Sequence, residues 1–221
     1  MAPSRRQSSG GASSPDPCGG TWVGVTFNSE GRVTAINASS GGLTSHLVGA
    51  DLSMLASLSE LDLSFNALHD DLPMLPQPLD GLRALDLRSN SFFAITDGFF
   101  AAFPALETFN HDDNEMSTLK PWIPYDVTSC PSLWSFSAVN VHFAGGFPNY
   151  FGNATLFPEL ESLSLARNLL WEEITPEFEK NSKTHVRRTH SHRRSRLRSG
   201  VAVTPPSPAR PVRCAAPRAR L

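Results

Sequence analysis

The chain has 221 residues, of which 40% are hydrophobic, so its length allows one or two domains with a real core. Its formal net charge of −2 hides an uneven distribution: residues 182–221 contain eleven basic residues and no acidic one, whereas residues 1–181 hold all 21 acids and eight bases. The sequence has no run of 18 apolar residues and no apolar segment near its start, so neither a membrane-spanning helix nor a signal peptide is expected.

The N-terminal part is predicted to contain a leader and a cap. Residues 1–15 are rich in Ser, Gly and Pro and are predicted to be disordered. Residues 16–44 are predicted to form an N-terminal cap with a degenerate first coil, because Trp22–Phe27 alternates like a strand and Val33–Ala38 begins 25 residues before Leu58. A stack of repeats needs such a cap, since its first coil would otherwise expose an apolar end to water.

Residues 45–181 repeat the pattern LxxLxLxxN. Its five copies begin at Leu58, Leu82, Leu106, Leu133 and Leu160, which are 24, 24, 27 and 27 residues apart. This period predicts a leucine-rich-repeat solenoid of about five to six coils, with short parallel strands on the concave side and an irregular or short-helical convex side. Helix content is expected to be low, because the return segments are rich in Pro.

Two positions within the repeat are informative. The four copies that end in Asn do so at Asn66, Asn90, Asn114 and Asn168. These side chains are expected to bond backbone groups left unpaired where each strand gives way to a loop. His111 stands at an inward Leu position, where a hydrogen-bonded core or edge residue is predicted rather than a metal ligand.

The solvent-facing positions of the strands form columns across the coils and are candidate partner-binding residues. The candidates on the concave face are Asp62, Ser64, Phe65, Asp86, Arg88, Asn110, Asp112, Asp113, Trp134, Ser137, Asn140, Ser164 and Arg167. The columns are acidic in the first coils and neutral to weakly polar in the later ones, and exposed aromatic residues favour protein interfaces. The alternative interpretation is that these are ordinary solvent-facing strand residues.

Motifs for catalysis and for metal or cofactor binding are missing from the sequence. Kinase signatures, GxSxG, HExxH and a P-loop do not occur, so neither a catalytic residue nor an enzyme activity is predicted, and no cofactor is expected. The acid-rich segment His111–Glu115 lacks the spaced oxygen ligands of a calcium loop, and the three cysteines form no zinc pattern. Cys130 is predicted to be a buried or half-buried thiol near a loop.

The Arg- and Pro-rich tail, residues 182–221, is predicted to be disordered. Arg187–Arg188 and Arg193–Arg198 leave open a nuclear signal or an RNA-binding arm, although no aromatic residues are interleaved for base stacking, and nucleic acid is therefore not the favoured partner. The abrupt onset of this composition also fits intron read-through or frame-shifted coding.

Several segments together resemble the start of the ectodomain of plant transmembrane kinase (TMK-type) receptors. They are Asp16-Pro17-Cys18, Trp22-Val-Gly-Val, LDLSFN, Asn153-Ala-Thr-Leu-Phe-Pro and LSLARNLL, and the resemblance covers residues 16–179. It implies an extracellular solenoid that is joined, in the full-length family, to a membrane helix and a cytoplasmic Ser/Thr kinase, with auxin-linked growth signalling at the cell surface. It also implies a cap disulfide whose second cysteine would lie near Phe27, so Cys18 is expected to be unpaired.

The leading hypothesis is a non-catalytic recognition module whose concave face binds a protein or peptide ligand or a co-receptor. The sequons at Asn37 and Asn153 predict N-glycosylation, which requires the secretory pathway. The chain as written, without a signal peptide, instead predicts a cytosolic protein or a truncated gene model. The alternatives are therefore a truncated, non-functional receptor fragment and a nucleic-acid binder acting through its tail.

Overall fold

A computed structural model describes residues 22–115, 122–171, 175 and 178, together with the backbone of residues 185–187. The strands in these ranges are β1 (Val25–Phe27), β2 (Val33–Asn37), β3 (Glu60–Asp62), β4 (His69–Leu72), β5 (Ala84–Asp86), β6 (Ser91–Ile95), β7 (Thr108–Asn110), β8 (Ser135–Ser137), β9 (Ala144–Gly145), β10 (Ser162–Ser164), β11 (Leu169–Leu170) and β12 (His185–Arg187).

One eight-stranded sheet runs in the order β1-β2-β3-β5-β7-β8-β10-β12. Only β1 and β2 pair antiparallel, and every later pair in this sheet is parallel. Each leucine line therefore contributes one strand beside the strand of the previous line. This is the leucine-rich-repeat solenoid that the sequence predicted. We number the five coils 1 to 5 by their strands β3, β5, β7, β8 and β10, and call the coil that contains β2 the cap coil.

Inward residues of neighbouring coils lie opposite one another. Leu61 pairs with Leu85 and Leu85 with Phe109, and the row continues through Phe136 to Leu163. All five are buried. Burying one such side chain contributes about 1.5–3 kcal/mol, and a coil obtains that burial only from its neighbours. The inward row therefore explains why the coils stack.

The return segments contain little helix. The described residues include one α-helix, α1 (Gly49–Ser53), and three 3₁₀ helices at Phe100–Ala102, Tyr125–Ser129 and Asn149–Gly152. The predicted low helix content is confirmed for these residues. Two small parallel sheets, β4–β6 and β9–β11, were not predicted. The three extra residues of the longer repeats lie outside the strands, since β7, β8 and β10 keep their register.

The asparagine that ends four of the five lines joins its coil to the one before. Asn90 donates from Nδ2 to the carbonyl of Leu63 in the preceding coil at 2.9 Å and to that of Leu87 at 3.0 Å, and its Oδ1 accepts the amide of Leu68 at 3.0 Å. Asn66, Asn114 and Asn168 make the same three kinds of bond. The predicted bonding of these side chains to backbone groups is confirmed.

The residue at the eighth place of each line adopts a left-handed backbone conformation. Its φ lies between 53° and 59° at Phe65, Ser89, Asp113, Asn140 and Arg167. This region is disfavoured by roughly 1–2 kcal/mol for residues other than Gly. The backbone bonds from Phe65 and Ser89 to the next coil, 2.9 Å and 2.8 Å long, help to hold the turn in place.

Phenylalanines fill the core between the sheet and the return segments. The ring of Phe99 meets those of Phe100 and Phe103 edge to face, with centroids 5.3 Å and 5.0 Å apart. Cys130 lies buried beside them, with Sγ 3.5 Å from the carbonyl oxygen of Phe100 and 3.4 Å from that of Phe103. Burial, and secondarily the nearby Asp126 carboxylate, raises the pKa of the Cys130 thiol to about 12. The prediction of a buried thiol is confirmed.

The C-terminal end differs from the expectation of a disordered tail. His185–Arg187, inside the segment predicted to be disordered, form strand β12, which pairs parallel with β10 so that Val186 lies opposite Leu163. The sequence-based prediction is corrected at these three residues, because β10 presents an edge with which a further strand can pair. The rest of the tail, with Arg188 and the cluster Arg193–Arg198, lies outside the described residues, as do residues 1–21 with Cys18.

Candidate functional site: the concave face

The concave face of the sheet carries an open trough of about 550 Å³ that crosses the strands from β1 to β8. Its lining includes four of the predicted site residues, Asp62, Asp86, Asn110 and Ser137, together with the sequon residue Asn37. Equivalent residues of adjacent strands are about 4.8 Å apart. The trough therefore presents a regular row of side chains to anything that lies across the strands.

One column of residues along the trough consists of Asn37, Asp62, Asp86 and Asn110, and it has a structural role in addition to lining the trough. The Oδ1 atoms of Asn37, Asp62, Asp86 and Asn110 each accept the amide of the residue two places later, at 2.9–3.2 Å. Such Asx turns are a usual role of Asp and Asn after a strand. Replacing one of these carboxylates by an amide keeps the acceptor and removes only the charge.

Coil 2 holds the most organised group on this face. The Arg88 guanidinium pairs with Asp86 at 2.9 Å and lies 5.5 Å from the centre of the Phe65 ring. Burial raises the pKa of the Asp86 carboxyl, with further raising from Asp62 and Asp112, while the Arg88 amide and guanidinium lower it. The arginine thus neutralises one acid of the column and orders an exposed aromatic ring beside it. This contact joins two coils, so the pattern within a single repeat could not predict it.

Acids also connect coil 3 to coil 4. The Oδ1 of Asp112 accepts the Ser137 hydroxyl and the Val139 amide, both at 2.7 Å, and Asp113 accepts Asn140 Nδ2 at 2.8 Å. Ion pairs within the described residues involve neither of these two acids nor Glu60 and Asp62. The acidic half of the face therefore carries negative charge that Arg88 partly offsets.

The structure corrects one of the predicted concave residues. Ser64 is 1% exposed, because its hydroxyl bonds Asp62 at 2.6 Å and Ser39 at 2.9 Å, so it cannot contact a partner directly. Trp134 is exposed at the start of the fourth line, outside the trough lining. Arg167 is exposed on the left-handed turn of coil 5, and Ser164 is half-buried in β10.

Sequence reasoning missed the residues that precede the inward leucine of each strand. Glu60, Ala84, Thr108 and Ser135 also line the trough. The signal was present, because side chains alternate along a strand and these residues stand two places before the column of Asp62. The candidate surface is thus one column wider than the sequence analysis proposed.

His111 occupies the inward place of coil 3, as expected, but the prediction that it is hydrogen-bonded is wrong. It is fully buried, and neither ring nitrogen has a hydrogen-bond partner among the described residues. Its ring stacks on Phe109 and Phe92, with centroids 5.9 Å and 6.1 Å away. Burial lowers the pKa of the imidazole to about 3. The aromatic neighbours come from two different strands and offer the nitrogens no acceptor.

Two further kinds of feature, a metal site and a membrane-spanning helix, bear on what the chain can do. Within residues 22–115, 122–171 and the few described positions beyond, no group of three or more His, Cys, Asp and Glu side chains is placed to hold a metal ion. In that same part of the chain, no helix has the length and apolar character needed to cross a bilayer. The two sequon asparagines are both exposed, Asn37 at the rim of the trough and Asn153 after the last 3₁₀ helix.

These features define a leucine-rich-repeat solenoid with an open concave face. No protein-family profile matches the sequence. The chain is similar to the receptor-like kinase TMK2 of Arabidopsis thaliana, with 30% identity over 168 residues that cover 75% of this chain and 18% of that protein. It is also similar to receptor-like protein kinase 7 of Arabidopsis thaliana, with 36% identity over 41% of this chain and 9% of that protein. The chain thus spans less than a fifth of the length of these curated relatives.

Solved structures give the same similarity to plant receptor ectodomains. Pollen receptor kinase 3 superposes with a TM-score of 0.66 and 29% identity over 77% of this chain and 79% of that one. The ectodomain of the Arabidopsis receptor kinase HAESA, solved in complex with an N-terminally extended IDA peptide hormone ligand, gives a TM-score of 0.65 and 25% identity over 77% of this chain and 28% of that one. The chain is therefore similar to leucine-rich-repeat ectodomains of plant receptor kinases.

Proposed function

We propose that this chain is a non-catalytic recognition module that binds an extended peptide or protein segment in the trough of its concave face. The observation that supports the proposal is the trough itself, which crosses the strands from β1 to β8 and whose lining includes polar side chains in register, such as Asp62, Asp86 and Asn110. The HAESA ectodomain, which has the same fold, was solved with a peptide hormone. That similarity supports a peptide-sized occupant.

The finer parts of the proposal concern the setting of the module. We infer a TMK-type receptor ectodomain on the extracellular side of the plasma membrane, in auxin-linked growth signalling, with glycans at Asn37 and Asn153. Support comes from the similarity to TMK2 and from the exposure of both sequons. The compartment is tested by expressing the chain in a plant secretory system and analysing the peptides that contain each sequon by mass spectrometry. Unmodified asparagines in secreted protein would contradict the glycosylation.

The binding proposal is tested by charge substitution on the face. Peptides selected from a displayed random library against the intact chain serve as probes. Changing Asp62, Asp86 and Asp112 together to Lys reverses the charge of the acidic half, so we expect at least a tenfold loss of affinity for peptides that lie in the trough, a change of about 1.4 kcal/mol. Isothermal titration calorimetry gives the affinities.

Two control variants separate charge from structure. The triple change to Asn keeps an acceptor oxygen for the Asx turns of residues 62 and 86 and for the bonds from Ser137 and Val139 to residue 112, so it is expected to fold like the parent while it weakens binding of cationic probes. The change of Asp51, Asp97 and Glu159 to Lys alters three exposed acids of the return segments and should leave binding intact. Undiminished binding by the concave Lys variant, with loss in the return-segment variant, would reject the concave face as the site.

A further inference from the structure

The sequon at Asn37 belongs to the trough, whereas the sequon at Asn153 does not. Asn37 ends β2, and its partner in register on the next strand is Asp62. Residues 24–26 at β1 line the trough on one side of Asn37, and Glu60–Asp62 of β3 line it on the other. Asn153 lies on the return segment of coil 4 and is not part of the lining. A sugar attached to Asn37 therefore shares the trough with any partner.

The side chain of Asn37 is held so that its amide nitrogen is available. Its Oδ1 accepts the amide of Ser39, the hydroxyl residue of the sequon, at 3.2 Å. Its Nδ2, the atom that carries an N-linked sugar, makes no hydrogen bond within the described residues. The Ser39 hydroxyl in turn bonds Ser64 at 2.9 Å. Asn153 has the same Asx turn, since its Oδ1 accepts the Thr155 amide at 2.9 Å. The two sequons thus differ in location and not in local geometry.

We propose that glycosylation of Asn37 restricts the partner of the trough to coils 2–4, because the glycan covers the part of the trough formed by β1, β2 and β3. The inference rests on the proposed function, both on peptide binding in the trough and on passage through the secretory pathway. The chain then exists in two forms. The unmodified form accepts a segment along the whole trough, and the glycosylated form accepts one only over β5, β7 and β8.

The modification is a group transfer from a lipid-linked oligosaccharide diphosphate. A bond forms between Nδ2 of Asn37 and the anomeric carbon of N-acetylglucosamine, and the bond from that carbon to the diphosphate breaks. Nδ2 loses one proton, and the lipid diphosphate leaves. The side chain thereby gains a bulky, hydrated group, which a peptide has to displace or avoid.

The spacing of the strands sets how far this group interferes. Neighbouring strands are about 4.8 Å apart, so Asp62 on β3 lies one step from Asn37. Strand β8 lies four steps from β2 in the sheet order, which is about 19 Å. The first sugars therefore compete for β1 and β3, whereas the far end of the trough stays accessible.

The covered part of the trough differs chemically from the part that stays open. Glu60 and Asp62 of β3 take part in no ion pair among the described residues, whereas Asp86 of β5 pairs with Arg88 at 2.9 Å. Strands β7 and β8 contribute the neutral residues Thr108, Asn110, Ser135 and Ser137 to the lining. Covering β3 removes unpaired negative charge from the trough, so the glycosylated form selects less cationic segments than the unmodified form.

Peptides selected against the unglycosylated chain are the probes for this proposal. Glu60→Lys on β3 and Ser135→Lys on β8 change residues at the same place in their lines, so each identifies the peptides that contact its part of the trough. The whole chain and its Ser39→Ala variant are then produced in a plant secretory system, and mass spectrometry reports the glycan at Asn37. Isothermal titration calorimetry gives the affinities of both proteins for both groups of peptides.

The two groups of peptides should respond differently. Peptides sensitive to Glu60→Lys should bind the glycosylated parent at least about tenfold more weakly than they bind Ser39→Ala. Peptides sensitive only to Ser135→Lys should bind both proteins within about twofold. Thr155→Ala removes the sequon at Asn153 and should leave this contrast in place.

Protein made in bacteria separates the glycan from the substitution. Without a glycan, the parent and Ser39→Ala should bind alike, and Asn37→Gln takes the place of Ser39→Ala if that variant does not fold. Equal binding of the Glu60-sensitive peptides by the glycosylated parent and Ser39→Ala would overturn the inference, as would secreted protein without a glycan at Asn37 or a selection without Glu60-sensitive peptides. In each case peptides sensitive to Ser135→Lys leave the proposed function intact, whereas a lack of both groups rejects the proposed function itself.

Discussion

Phe65 shows how a single residue can be both costly to the backbone and useful on the surface. It holds a φ of 56° on the turn of coil 1, and its ring is 53% exposed beside the Arg88 guanidinium. A left-handed conformation is rare for a bulky side chain, so backbone preference does not explain this choice of residue. The ring instead provides an aromatic contact at the rim of the acidic half.

The cost at this turn can be measured with paired variants. We expect Phe65→Gly to be more stable than Phe65→Ala by about 1 kcal/mol, since glycine accepts a positive φ without strain. Chemical denaturation followed by circular dichroism gives the difference. The same pair at Phe93, which is exposed in strand β6, is the control, and there glycine should be the less stable by about 0.5–1 kcal/mol. The same order at both sites would contradict the explanation.

The histidine in coil 3 marks the limit of prediction from single residues. Its inward direction followed from the repeat pattern, because its place in the line is fixed. Its lack of hydrogen bonds did not follow, since that depends on Phe92 and Phe109. A rule that buried polar groups find partners is reliable on average, but in a stacked structure the neighbouring coils decide each case.

At the scale of elements, the asparagines matter as much as the leucines. The single side chain of Asn90 makes hydrogen bonds of the kind that backbone groups would make in a continuous strand. These bonds involve both its own coil and the preceding one. Its bond to the Leu68 amide also fixes the start of the return line that leads into β4. This explains the small β4–β6 sheet, which the leucine pattern did not predict because that pattern ends at the asparagine.

Asn90→Ala should reduce the free energy of unfolding by about 2–4 kcal/mol, since it removes several bonds and leaves the buried Leu68 amide unpaired. Equilibrium unfolding in guanidinium chloride measures the loss. Asn153→Ala is a suitable comparison, because that exposed side chain accepts only the nearby Thr155 amide among the described residues, and it should cost less than about 1 kcal/mol. Similar losses for both variants would argue against a special role of the asparagine line.

At the scale of the whole molecule, the residues at the two ends of the stack determine whether water is excluded from the core. At the N-terminal end, β1 pairs antiparallel with β2 and a register shift between Thr26 and Phe27 interrupts its ladder, a feature that discourages further pairing at an edge. Near the other end, Phe178 is buried, with its ring 5.5 Å from that of Phe147 and in contact with Gly152. These contacts shield the last described coils.

Loss of the Phe178 ring should therefore destabilise the chain well beyond its local contacts. We expect Phe178→Ala to lower the free energy of unfolding by about 3–5 kcal/mol, as for other buried aromatic residues. Differential scanning calorimetry detects the shift of the midpoint. Trp171→Ala removes a larger but 71% exposed side chain and should change stability by no more than about 0.5 kcal/mol. A larger effect at Trp171 than at Phe178 would be inconsistent with this packing.

The sequence predicted the architecture well because the fold and the repeat pattern have one cause, the burial of Leu61, Leu85 and their equivalents between neighbouring coils. The site was harder to predict. The acidic column was identified, but the burial of Ser64 and the stack of Arg88 on Phe65 depend on distances between coils, and a one-dimensional pattern does not contain them. Strand β12 was missed for a similar reason. It pairs with the edge of β10, although its residues do not belong to an LxxLxLxxN line.

The uniform register of the strands has a consequence for the geometry of any chain that crosses them. Two steps from coil to coil span about 9.6 Å, and one three-residue turn of a polyproline II segment, which returns its side chains to the same face, spans about 9.3 Å. The two repeats are nearly commensurate, so every third side chain of a crossing segment would meet an equivalent position on every second coil. Glu60 and Asp62 on β3 and Thr108 and Asn110 on β7 are such positions, and a sequence motif with a period of three is the pattern this spacing would select.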